Sequence, residues 1–248
     1  MKQRYFIRIS FKGTNFHGWQ IQPRAVTVQG TLNKVLSTVL REKIETTGAG
    51  RTDTGVHAKF FVAHFDSNNK QLDNDSSIIY SLNSLLSPDI SVNKIIKVSG
   101  DDHARFSAIS RTYEYHISRI ENPFEKEFSW YIYGALDIEK MNEAARLLEN
   151  INDFTSFSKE HSNVKTNICN ISFARWDDYG DKLIFTIKAD RFLRNMVRAI
   201  VGTMIKIGRN KIMISEFKKS VEKKTKKGFT APAQGLILTD IEYHVNIN

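Results

Sequence analysis

The residues with the clearest chemical potential lie in one run, Gly48-Ala49-Gly50-Arg51-Thr52-Asp53-Thr54-Gly55-Val56-His57-Ala58. Its three glycines permit positive φ and close backbone approach to a ligand. Between them stand a guanidinium, two hydroxyls, a carboxylate and an imidazole. Such a segment would hold the Asp53 carboxylate rigidly at a loop tip beside a cation. It is not a P-loop, because the terminal Gly-Lys-Ser/Thr is missing. Nor does a second carboxylate stand nearby in sequence, as an acid/base pair for sugar hydrolysis requires. A plain tight turn, with Asp53 capping an amide and pairing with Arg51, would use the same residue types.

Positioning that loop falls to the elements around it. Residues 3–11 alternate polar and apolar side chains and predict a half-buried strand. From Thr27 to Arg41, Val28, Leu32, Val35, Leu36, Val39 and Leu40 recur at helical spacing. Strand patterns follow at Ile44–Thr47 and Phe60–Phe65, a helix at Ser76–Leu86, and a strand at Ile90–Val98. The first hundred residues thus read β-α-β-β-α-β. Beyond them the patterns predict strands at Phe106–Arg119, Ile168–Trp176 and Leu183–Ala189. Helices are predicted over Asp137–Asn150, Phe192–Ile207 and Ile214–Lys224, and a closing strand over Leu236–Val245. On the Phe192 helix, Arg191, Arg194 and Arg198 form a basic stripe that Gly202 and Lys206 continue. The expected fold class is α+β: two lobes, residues 1–105 with the Asp53 loop and 106–248 completing a cleft, each with antiparallel strands backed by helices.

Composition narrows the classes. The 248 residues carry 36 Lys and Arg against 27 Asp and Glu, a formal charge of +9, which favours a polyanionic partner such as nucleic acid. Lysines outnumber arginines 22 to 14, so part of that excess reflects general Lys, Ile and Asn richness rather than recognition. No apolar run approaches the roughly 18 residues of a membrane span, and the start has no signal-peptide core, so a cytoplasmic protein is expected. Cys169 is the single cysteine, which excludes an intrachain disulfide and a cysteine-rich metal site. The seven histidines show no metal-ligand spacing, so no metal is expected.

Gly48–Ala58 resembles the active-site motif of the tRNA pseudouridine synthase A family. Gly18-Trp19-Gln20, Val28-Gln29-Gly30, His103-Ala104-Arg105-Phe106-Ser107-Ala108 and Arg111-Thr112-Tyr113-Glu114-Tyr115 are similar to further segments of that family, in order. So are Asp153–Phe157, Phe192-Leu193-Arg194-Asn195-Met196-Val197-Arg198, and Thr230-Ala231-Pro232-Ala233 with Gly235-Leu236. The resemblance covers nearly the whole chain. It implies isomerisation of uridine to pseudouridine at positions 38, 39 and 40 of the tRNA anticodon stem-loop. It also implies a homodimer, no cofactor, and two α/β lobes of ferredoxin-like or RRM-like type around a basic cleft. By the same resemblance Asp53 is the catalytic carboxylate, Arg198 its counter-charge, and Tyr113 the ring that meets the flipped uracil. Leu236 would wall the uracil pocket, and Arg51 and Arg105 would meet RNA.

Simpler readings stand beside these roles. Tyr113 and Leu236 suit a core, and Arg105 suits an exposed strand end. Lys12 departs from the family, which usually has aspartate there. The lysines at 218, 219, 223, 224, 226 and 227 read as a solvated helix face that could also meet a phosphate backbone. A non-catalytic RNA-binding or tRNA-folding protein, and a hydrolase of N-glycosidic bonds, are the competing functions.

Overall fold

Strand β1 (Gln3–Phe11) has the alternation expected of it, with Tyr5, Ile7, Ile9 and Phe11 buried on one face. Phe6 on the other face is buried as well. The ring of Tyr243, 5.2 Å away, covers it, and Arg8 Nη1 donates to the Ile247 carbonyl at 3.3 Å. The middle of β1 is therefore sandwiched rather than half-buried, by a segment remote in sequence. The computed structural model describes residues 2–158, 166–225 and 229–247; Lys226 and Lys227 of the basic run lie outside the described residues.

The chain continues through α1 (Val28–Leu40), β2 (Thr47–Gly48), β3 (His57–Ser67), α2 (Ser76–Leu85) and β4 (Ile90–Lys97). This is the β-α-β-β-α-β order that the periodicities predict. Thr27 caps α1 by accepting from Gly30 N at 3.2 Å, and Asp75 caps α2 by accepting from Ser77 N at 2.9 Å. Then come β5 (Ala108–Ser118), β6 (Trp130–Tyr131), α3 (Ile138–Leu148), β7 (Ile171–Asp178), β8 (Lys182–Ala189), α4 (Met196–Gly208), α5 (Ile214–Glu222) and β9 (Leu236–Tyr243).

Two compact units result: Met1–Ile109 with Leu238–Asn248, and Ser110–Ile237. The first has strand order β4-β1-β3-β9, with β2 beside β3. Both neighbours of β1 run antiparallel to it, so that Ile7 faces Ala63 on one side and Ile95 on the other. Helices α1 and α2 pack together, and α2 lies on β4. The second unit has strand order β5-β8-β7, antiparallel throughout, with Tyr113 opposite Ile187 and Tyr115 opposite Phe185. Short β6 pairs parallel to β5. Helix α3 packs on β7, α4 and α5. Antiparallel strands backed by helices make the fold α+β, as expected.

Helix α4 corrects one expectation. It starts at Met196, not Phe192, because Asn195 sits at φ 66° in the left-handed region and cannot continue a helix. Arg191 and Arg194 therefore precede the helix. Gly202 is buried, and Lys206 lies over the Phe229 ring at 5.6 Å. The predicted basic stripe therefore does not run along one helix, since only Arg198, Gly202 and Lys206 of its members lie on α4.

Candidate active site

In the first unit, the loop carrying Asp53 is assembled from both ends. The amide of Ala49 donates to Val62 O at 2.8 Å, which ties the loop's start to β3. At its far end, Val56 N donates to Asp53 O at 3.2 Å, closing a turn whose third residue, Gly55, lies at φ 80°. A second segment, residues 13–19, braces the loop from outside. His57 Nδ1 accepts from Gly13 N at 3.0 Å. Gly18, at φ 78°, approaches so closely that a Cβ there would sit 2.2 Å from the Thr52 carbonyl oxygen. Trp19 is buried with its ring 4.3 Å from Phe61 of β3. Gln29, from the Val-Gln-Gly element, joins the pieces: it accepts from Ile21 N at 2.9 Å and donates to Thr46 O at 2.7 Å. Asp53 is half-buried within this frame, and Arg51 is exposed. Lys12 is half-buried, and its amide donates to Asp89 O at 2.9 Å.

Arg105 lies in a turn before β5, exposed to solvent beside Phe106, with its guanidinium carbon 5.6 Å from that ring. The turn closes where Ser107 N donates to His103 O at 2.9 Å.

In the second unit, Arg198 and Tyr115 hold one backbone strap, residues 230–236, which ends at Leu236. Arg198, half-buried on the first turn of α4, donates from Nε to the Ala231 carbonyl at 2.8 Å and accepts from Ala231 N at 3.0 Å through its own carbonyl. Asn195 Nδ2 donates to Thr230 Oγ1 at 3.0 Å. Tyr115 is fully buried and donates its hydroxyl to Pro232 O at 2.8 Å. Burial pushes its phenol pKa up, against the lowering effect of nearby Arg198, so the hydroxyl remains a donor. Tyr113, two residues earlier on the same face of β5, is half-buried, with Phe192 edge-on to its ring at 5.2 Å. Leu236 opens β9 and is buried. Sequence alone does not mark Tyr115 and Phe192 as neighbours of the candidate residues; the period-two pairing of Tyr115 with Tyr113 is the one signal it carries.

Other polar groups serve the fold. Asp153 accepts from Lys224 Nζ at 2.7 Å, which with Thr155 lowers its pKa to about 2, so Lys224 is engaged within the second unit. Burial pushes the Cys169 thiol up to about 11, which suits an inert core cysteine rather than a nucleophile. Among the described residues no His, Cys, Asp and Glu cluster could hold a metal, and no helix is long and apolar enough to cross a membrane.

Residues 144–244 match the family model for tRNA pseudouridine synthase. The tRNA pseudouridine synthase A of Bacteroides thetaiotaomicron is 50% identical over 250 residues, covering 99% of this chain and 92% of that protein. The chain belongs to the tRNA pseudouridine synthase family. The Bacteroides fragilis tRNA pseudouridine synthase A is likewise 50% identical, over 97% of this chain and 96% of its own length. The Porphyromonas gingivalis protein of the same name is 45% identical, with 97% of both chains covered. Members of the tRNA pseudouridine synthase family are isomerases, and this chain is one of them.

Proposed function

We propose that this chain converts uridine to pseudouridine at positions 38, 39 and 40 of the tRNA anticodon stem-loop, with Asp53 as its catalytic carboxylate. The observation that carries the reading is Asp53 itself: a half-buried carboxylate on a loop clamped between β3 and the Gly13–Trp19 segment, in a chain 50% identical to a tRNA pseudouridine synthase A. A protein that merely binds RNA has no need to fix a carboxylate so firmly.

The reaction breaks the bond between uracil N1 and ribose C1′ and forms one from C5 to C1′. N1 gains a proton, C5 loses one, and mass and oxidation level are conserved, so the chemistry calls for no cofactor. Asp53 either attacks C1′ or removes a sugar proton to give a glycal; both routes need it ionised, and Arg198 takes the part of counter-charge. Tyr113, braced by Phe192, receives the extruded base, recovering part of the unstacking cost. Leu236 walls the uracil, and Arg51 and Arg105 hold the RNA. The enzyme acts as a homodimer.

The test is to incubate purified protein with unmodified tRNA and map pseudouridine by adduct formation. Product in the anticodon arm is expected. Binding without product would favour the RNA-binding alternative, and release of free uracil would favour a hydrolase. Asp53→Asn should lower turnover by at least about a thousandfold, with tRNA affinity within about threefold of wild type.

A further inference from the structure

The turn that presents Arg105 is held by two histidines that the proposed chemistry leaves unused. His64, buried on β3, accepts from Ala104 N through Nδ1 at 3.1 Å. His103 accepts through its own Nδ1 from Arg105 N at 3.1 Å and from Phe106 N at 3.3 Å. Three consecutive amides thus converge on two imidazoles, whose rings meet edge to face at 4.5 Å. From β9, the Tyr243 hydroxyl donates to Ala104 O at 2.5 Å. Each Nδ1 is an acceptor, so each ring must be neutral with its proton on Nε2.

We propose that His64 and His103 are positioning residues that aim Arg105 at the tRNA backbone, and that protonating them releases the turn. The proposal rests on Arg105 contacting RNA in the proposed function. The charged groups around the pair are Arg4 of β1, Asp66 of β3, and Asp101, Asp102 and Arg105 of the turn region. Arg4 pairs with Asp66 at 2.8 Å and donates to Gly100 O and Asp102 O at 2.8 and 3.1 Å. Burial comes first in lowering both imidazoles, His64 to about 4 and His103 below its ordinary value; the positive field of Arg4 acts on both in the same direction. The neutral, accepting form therefore prevails at neutral pH.

Protonating a histidine near a polyanion ordinarily strengthens binding. Here the sign reverses, because the proton occupies the acceptor that holds the turn. Affinity of the full-length protein for an unmodified tRNA transcript should fall progressively below pH 6, by about tenfold between pH 7 and 4, and Arg105→Ala should abolish that fall. At pH 7, His103→Ala should weaken binding about tenfold, with turnover at saturating tRNA within about twofold. His103→Asn, whose Oδ1 can replace Nδ1 as acceptor, should recover most of the loss. In a double-mutant cycle, His103→Ala should add nothing to Arg105→Ala. Additive losses, a His103→Asn variant as weak as His103→Ala, or tighter binding at pH 5 would overturn the proposal. Should the His103 variants melt below the assay temperature, the pH comparison of wild type with Arg105→Ala decides alone. Wild-type protein that makes no pseudouridine overturns the proposed function but leaves this binding comparison readable.

Discussion

Arg198 joins a fold role that the structure shows to the chemical role proposed for it. Its Nε donates to the Ala231 carbonyl, while its backbone carbonyl takes the Ala231 amide. This two-point clasp fixes the guanidinium at the start of α4. Lysine could match the charge but not the guanidinium's fork of donors or the Nε bond. Arg198→Lys should therefore cut kcat/KM by about a hundredfold and lower the melting temperature by several degrees, since a hydrogen bond to a charged donor is worth about 1.5–3 kcal/mol. Steady-state kinetics paired with thermal melts would separate the two effects; unchanged kcat/KM would assign Arg198 to the fold alone. The sequence names Asp53, Tyr113 and Arg198 as candidates because they stand in motifs that resemble the family's. It does not single out Phe192 and Tyr115, because an aromatic at strand or loop spacing looks the same whether it braces a site or fills a core.

At the scale of elements, the Asp53 loop depends on a neighbour that performs no chemistry. Gly18 combines φ 78° with a gap to the Thr52 carbonyl too small for any side chain. In Gly18→Ala, backbone strain of about 1–3 kcal/mol is expected, and Thr52 must move, carrying Asp53 with it. Turnover should fall more steeply than tRNA affinity, and the melting temperature should drop by several degrees. Equal losses in affinity and turnover would instead point to general unfolding. The order of strands and helices was readable from periodicity, because buried faces impose periods of two and 3.6. The start of α4 was not. Phe192–Arg198 has helical spacing, yet Asn195 takes a left-handed conformation that its identity permits without requiring.

For the whole molecule, acid sensitivity follows from a buried neutral histidine. The folded pKa of His64, about 4, lies below the ordinary 6.5, so the unfolded chain takes up a proton that the folded one refuses. Stability is complete above pH 6.5 and declines as pH falls toward 4, by at most about 3 kcal/mol from this group. Denaturant midpoints across that range should show the slope, and His64→Asn should flatten it. The C-terminal segment supports the first unit just as directly: β9 lies beside β3, Tyr243 covers Phe6, and Ile247 receives Arg8. A chain ending at Ile237 should lose cooperative melting of the first unit, as circular dichroism would register; an unchanged transition would count against this dependence. Linear sequence could not reveal such pairing, because nothing local in residues 238–248 names residue 6 as a partner. The arrangement also sets a timetable for birth on the ribosome. Residues 1–109 emerge early but wait for residues 238–248, and beyond its short pairing with β2 one flank of β3 lacks its partner until β9 has left the ribosome. Nascent chains of this protein should accordingly lean on chaperones longest at their oldest end.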